Sequence, residues 1–312
     1  MAEQSTTKKF KKNKKRKSAR QKDMIKWAWI LIAPTFIGLL VLNIIPVFIT
    51  GVMSFQSVST FGESLFIGFQ NYIRLFQDME FWSSLKNTLL YAFIQVPATV
   101  VIATILAVLL NSKMEGLSFY RTLYFMPMLA APAAVAMVWR WLFNSQFGLV
   151  NQILQFFGMS GSIQWLSDPN VIIWSLIIVG IWSNIGYNMI LVLAGLQEIP
   201  KTYYESATLA GANKFQQFFH ISLPLLTPQL FFVVVTSLIT SLQVFDLVYL
   251  MFSNTNPSLI NVQTLAYMFY NESFVLGEQG YGAAIAIMLV ILISILTFIQ
   301  LKFQDRWVHY DI

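Results

Sequence analysis

The chain contains no cysteine. Disulfides, a thiolate nucleophile and cysteine-ligated metal sites are therefore excluded. Histidine occurs only as His220 and His309, and the His-Glu-x-x-His signature of zinc hydrolases is missing. No Gly-x4-Gly-Lys-Ser/Thr loop is present to cradle nucleotide phosphates. Charge is scarce as well. Asp, Glu, Lys and Arg make up 11% of the 312 residues, against roughly 25% in an average soluble domain. No second soluble domain and no internal repeat are expected from these residues, and the one biased segment is a basic stretch at the start.

What is present is apolar. Hydrophobic residues are 56% of the chain and the mean hydropathy is +0.62. They fall in runs of about 20, the length that crosses the hydrocarbon core of a bilayer. Six spans are expected, at 27–53, 88–110, 122–143, 171–196, 225–252 and 282–301. The bilayer core offers the backbone no water, so each is expected to be a helix. The fold class is thus all-α, a polytopic membrane protein. Pro34, Pro46, Pro97, Pro127 and Pro132 lie in or near these spans and can kink them.

The net charge of +6 is unevenly spread. Residues 1–26 read as a flexible basic cytoplasmic tail that orients the first span and touches anionic lipid. A nucleic-acid reading of that run is disfavoured because an apolar span follows directly. The apolar run from Trp27 is also too long for a cleaved signal. With the N-terminus inside, every Lys and Arg except Arg74, Lys86 and Arg140 falls on the cytoplasmic side. Both termini are therefore expected in the cytoplasm. Arg140 sits near the outer end of the third span, from which it can snorkel outward. Short interfacial helices are expected in the outer loops, for instance over 71–76.

The inner loop at 197–224 is the most informative stretch. Pro200 suits the first turn of a helix running to Leu209. Gly211 can take positive φ and end it, and Asn213 can cap a second helix. On that second helix Phe215, Phe218, Phe219 and Ile221 fall near one face. Glu205, Ser206, Ala207, Gly211, Ile221, Leu223 and Pro224 also stand at a fixed spacing. They resemble the EAA loop of ATP-binding-cassette (ABC) importer permeases: Glu-Ala-Ala, three residues, Gly, nine residues, Ile-x-Leu-Pro. Ser206 replaces the middle alanine, and Ala210 stands where sugar-type members often have Asp.

The resemblance covers most of 27–312. Phe66-Ile67-Gly68-Phe69-Gln70-Asn71-Tyr72, Tyr124-Phe125-Met126-Pro127, Phe245-Asp246 and Gly280-Tyr281-Gly282-Ala283-Ala284 are similar to the carbohydrate-uptake subfamily of maltose and multiple-sugar type. Thr255-Asn256-Pro257 departs from the Gly-Gly-Pro often found there. The resemblance implies the transmembrane domain of a type I ABC importer in the bacterial cell membrane. It implies a second homologous permease, two separate ATPase chains docked on the EAA loops, and an extracellular solute-binding protein. No cofactor, metal or catalytic residue is expected; His220 reads as a polar-face residue.

Sugar is the leading cargo. Sugar sites use hydroxyl-bonding side chains and flat aromatic rings. The fourth span offers Trp182, Asn184, Tyr187 and Asn188, and the fifth Ser237, Thr240, Ser241 and Gln243. The competing reading is that these groups glue helices together. A non-sugar ABC importer is the alternative. An ion-coupled secondary transporter is a poorer fit, since Asp246 and Arg140 are the only charges within spans. An intramembrane enzyme lacks any nucleophile–base or metal set.

Overall fold

The computed structural model describes residues 19–58, 64–111 and 115–308; the basic tail before Ala19 lies outside them. The chain divides into two compact units, Met1–Ile49 and Thr50–Ile312. Helix α1 (Ala19–Leu39) passes through a π turn at Leu40–Ile44 into α2 (Ile45–Met53), whose last residues, from Thr50, belong to the second unit. The π turn is closed by Ile45 N–H donating to the Leu40 carbonyl. It ends two residues before Pro46, whose missing N–H and bulky ring disturb regular α geometry. Helix begins before Trp27, so part of the expected tail is helical.

Two short antiparallel strands follow, β1 (Gln56–Val58) and β2 (Ser64–Phe66), with Gln56 opposite Phe66. They are a small departure from the all-helical expectation. Helices α3 (Gln70–Gln77) and α4 (Met79–Leu110) follow. Asp78 caps α4 by accepting from Glu80 N–H at 2.8 Å. Helix α3 lies where an interfacial helix is expected. Next come α5 (Leu117–Leu129), α6 (Pro132–Leu142), α7 (Leu149–Phe156) and α8 (Ile172–Glu198). The rest is α9 (Lys201–Leu209), α10 (Lys214–Gln217), α11 (Leu223–Leu225), α12 (Thr227–Leu242), α13 (Asp246–Met251), α14 (Leu265–Tyr270) and α15 (Gln279–Phe303).

Four helices among the described residues are long and apolar enough to cross a membrane: Asp23–Met53, Met79–Leu110, Ile172–Glu198 and Gln279–Arg306. The other two expected spans are broken. The third bends by 98° between α5 and α6, and a bend of 64° at Leu226 sets the inner-loop segment 214–225 off from the start of the fifth. The first break falls at Ala130-Ala131, where Pro132 denies its predecessor the α region. The fifth span was also expected to run to 252. Instead α12 stops at Leu242, and Gln243–Phe245 separate it from α13.

The core centres on α4 and α8. Small residues on α4, Ala103 and Ala107, are fully buried beside Met189, Val192 and Leu193 of α8. Close approach through small residues is how helices associate in an apolar solvent. Gly180 and Gly186 serve the same purpose: a Cβ on Gly186 would strike the Tyr124 carbonyl of α5, and one on Gly180 the Tyr91 ring. Val101, Ile105, Phe232, Ile295 and Phe298 point away from the protein and stay exposed. At the start of α8, Asn256 donates to the Leu166 carbonyl at 2.7 Å and Ser258 to that of Ser167 at 2.6 Å. The 253–258 loop therefore sits at the end of α8 opposite α9.

Candidate functional site

Two features are candidates for the functional site. The first is the helix–glycine–helix that follows α8. Pro200 is the N-cap of α9. Its end is a Schellman closure: Ala212 N–H donates to the Ala207 carbonyl at 2.9 Å, and Gly211 N–H to that of Thr208 at 3.0 Å. Gly211 adopts φ +82°, the left-handed conformation that only glycine takes without cost. Asn213 and Gln216 then form a reciprocal capping box at 2.8 and 2.9 Å.

Side chains lock the two halves at this bend. Tyr204 and Ser222 hydroxyls lie 2.9 Å apart. Gln217, itself buried, donates to Thr208 Oγ1 at 3.0 Å and to the Ala212 carbonyl at 3.1 Å. Another π turn, Phe218–Ser222, leads toward Pro224. Phe215 and Phe219 pack at 4.6 Å and both remain exposed, with Phe218 against Phe219. Leu209 is 91% exposed. Glu205 and Ser206 are exposed and Ala207 is half-buried. A notch of about 450 Å3 opens between the helices, lined by Ala207, Gly211, Gln216, His220 and Ile221. Such an apolar, rigid and uncovered element suits a protein partner. Leu223 and Pro224 are half-buried where the element joins α12.

The second feature is a cavity of about 330 Å3 among α4, α5, α6, α8, α12 and α13. Asn184, Ser237, Thr240, Ser241 and Gln243 all line it. Their hydrogen bonds leave spare capacity. Asn184 donates one amide proton to the Gly180 carbonyl at 2.7 Å, and Gln243 one to that of Ile239 at 2.9 Å. Thr240 and Ser241 donate back into their own helix. Each amide keeps a second proton, and each oxygen its lone pairs.

The other expected residues stand elsewhere. Asn188 is buried and accepts from Ser237 Oγ at 3.2 Å, a bond between helices. Trp182 packs edge-on against Trp139 at 5.6 Å and is 40% exposed. Tyr187 is 39% exposed and outside the cavity lining. The cavity also recruits Tyr91, Gln95 and Ser183, which the sequence reading missed, and Asp246 as its one charged lining residue. Gln95 donates to Thr99 Oγ1 at 3.0 Å. Ser183 Oγ is buried with no partner among the described residues. A polar residue in the middle of an apolar run was the available signal for Gln95.

Among the described residues no cluster of His, Asp and Glu could hold a metal ion. One buried acid lies outside the cavity. Glu272 is 6% exposed, and burial pushes its carboxyl up to about 7 although Arg74 stands 4.0 Å away and works against the shift. Arg74 also pairs with Glu278.

The chain is similar to known proteins over nearly its whole length. It is 33% identical over 300 residues to the probable ABC transporter permease protein YesP of Bacillus subtilis, covering 96% of each chain. It is 32% identical over 279 residues to the trehalose/maltose transport system permease protein MalF of Thermococcus litoralis, covering 89% of this chain and 93% of that one. Its fold matches a solved bacterial ABC transporter for import of the acidic polysaccharide alginate, with TM-score 0.80, 23% identity and coverage of 92% and 99%. Residues 100–310 match the family described as binding-protein-dependent transport system inner membrane component. With a bent helix pair and a glycine-broken loop in place, the chain belongs to that family, the multi-pass membrane permeases of ABC importers.

Proposed function

We propose that the chain is one permease half of an ATP-driven, binding-protein-dependent sugar importer, with an oligosaccharide as cargo. One observation carries this reading: five polar side chains expected to meet a sugar converge on one cavity between the fourth and fifth spans. Hydroxyls and amides with spare donors and lone pairs match a polyol, which offers many weak hydrogen-bond sites. Its relatives include a permease for trehalose and maltose and a transporter for alginate.

ATP is hydrolysed on a separate chain. The 205–224 segment is proposed as the coupling surface, with Glu205 and the exposed aromatics meeting the ATPase. Gly211 holds the bend through which rigid-body movement reaches α8 and α12. A second homologous permease completes the path, and two ATPases serve the pair. Both termini are proposed to face the cytoplasm, because all Lys and Arg other than Arg74, Lys86 and Arg140 then lie inside. The end carrying the 253–258 loop then faces outward.

The reading is tested on the purified complex with its partner permease, ATPases and binding protein. Stimulation of ATP hydrolysis is measured for a panel of oligosaccharides, amino acids and metal ions. Stimulation by an oligosaccharide is expected; stimulation by an amino acid or metal alone would replace the sugar reading with the non-sugar one.

A further inference from the structure

Farther along the same pair of helices, α6 and α13, a second groove of about 360 Å3 runs past Arg140, Tyr249, Ser253 and Asn254. Phe245 joins it to the cavity. Phe245 lines the cavity, its ring stacks on Tyr249 at 5.4 Å and 22°, and Tyr249 lines the groove. An unbroken aromatic face thus leads from one to the other. Arg140 is exposed and makes no ion pair or hydrogen bond among the described residues. At the outer end of the span its five donors are open to water and to any oxyanion that enters the groove. Asn254 already accepts from Tyr267 through its oxygen, which leaves its amide protons as further donors.

We propose that this groove receives a carboxylate borne on a sugar ring, with Arg140 as its binding partner, so that the cargo is an acidic oligosaccharide. The proposal rests on the sugar-import reading and narrows it. A planar guanidinium can engage both oxygens of a carboxylate, which a neutral sugar cannot offer. Asp246, on the cavity side, repels a carboxylate and accepts from hydroxyls. The two charges therefore fix an orientation, with the acid at Arg140 and the hydroxyl face toward Asp246. A lipid phosphate is the other oxyanion that Arg140 can reach. The polar lining of Ser253 and Asn254 and the aromatic continuity with the cavity favour the cargo.

The test uses the assembled importer in nanodiscs of phosphatidylcholine, without the binding protein, whose own selectivity then plays no part. Binding of trigalacturonate and of its neutral methyl ester is followed by saturation-transfer NMR and titration. The acid is expected to bind at least about tenfold more tightly than the ester, the scale of one hydrogen bond to a charged group. Arg140→Gln should bring the two to equality, with ester binding unchanged, and Arg140→Lys should keep part of the preference. Equal binding in the wild type, or a preference that survives Arg140→Gln, overturns the proposal. A parallel arm uses nanodiscs containing phosphatidylglycerol and counts retained lipids by native mass spectrometry. Lipid loss in Arg140→Gln with an unchanged acid preference assigns Arg140 to lipid and also overturns it. Binding of neither sugar, with import of another solute class, removes the sugar reading itself. That outcome is distinct from equal binding of acid and ester.

Discussion

Ser237 donates its hydroxyl to the buried Asn188 side chain across 3.2 Å, tying α12 to α8 at the edge of the cavity. The same serine lines the cavity, while Asn188 does not. A cavity-lining position and an interhelical bond thus separate within about one helical turn, between Asn184 and Asn188.

That separation can be measured. Asn188→Ala leaves a buried hydroxyl without its acceptor, so it should destabilise the complex by about 1 kcal/mol with little change in sugar affinity. Asn184→Ala should do the reverse, weakening sugar affinity by roughly tenfold with the melting temperature held. Thermal unfolding and titration of both purified variants check this. A melting temperature that falls with Asn184→Ala alone would assign the glue role to the wrong residue.

Gly186 gives a steric test. Alanine there collides with the Tyr124 carbonyl on α5, whereas Gly38 has nothing within 4 Å of an added Cβ. Gly186→Ala should cost about 1–3 kcal/mol, the usual range for overpacking. Gly38→Ala should be neutral or stabilising by up to about 1 kcal/mol, since alanine is the better helix former. Equal unfolding temperatures for the two variants would contradict the α5–α8 contact.

Legibility followed the range of the interaction that decides each feature. Gly211 and Asn213 were readable because turn and cap chemistry is local: one backbone angle and one side chain fix each. The four unbroken spans were readable from apolar length alone. The broken spans were not, because Pro127 and Pro132 mark places where a helix can bend without saying whether neighbours exploit it. The start of α4 at Met79 was missed for a related reason. Its first turns carry Ser84 and Lys86, and Gln263 donates to Ser84 Oγ and Glu80 from a distant loop. Half of the cavity was legible as polar groups on two spans. Tyr91, Gln95 and Ser183 needed the packing of α4 on α8, which no local pattern encodes.

Glu272 predicts a pH dependence. Its folded pKa, near 7, lies above its ordinary value of 4.5, mainly through burial, partly offset by Arg74 and reinforced by Glu278, Glu80 and Asp78. Between those two values the folded state holds a proton that the unfolded chain has released. Stability should therefore fall as pH rises from about 4.5 to about 7, and level off above. Glu272→Gln should flatten this dependence and melt higher than wild type at pH 8. Melting curves across that range check it, and an unchanged slope in the variant would locate the titration elsewhere.

Gly211 holds the bend by backbone conformation alone, since a Cβ there meets nothing within 4 Å. Valine at φ +82° costs roughly 1–2 kcal/mol, enough to disfavour the bend without disturbing the spans. The decisive measurement is ATP-driven uptake of radiolabelled oligosaccharide into proteoliposomes holding the complete complex, wild type against Gly211→Val. We expect concentrative uptake by the wild type that requires ATP. The variant should bind sugar normally but lose its ATPases or hydrolyse ATP without transport. Uptake that runs on an ion gradient without ATP, or a variant with full ATPase association and full uptake, would contradict the coupling of this permease through 205–224.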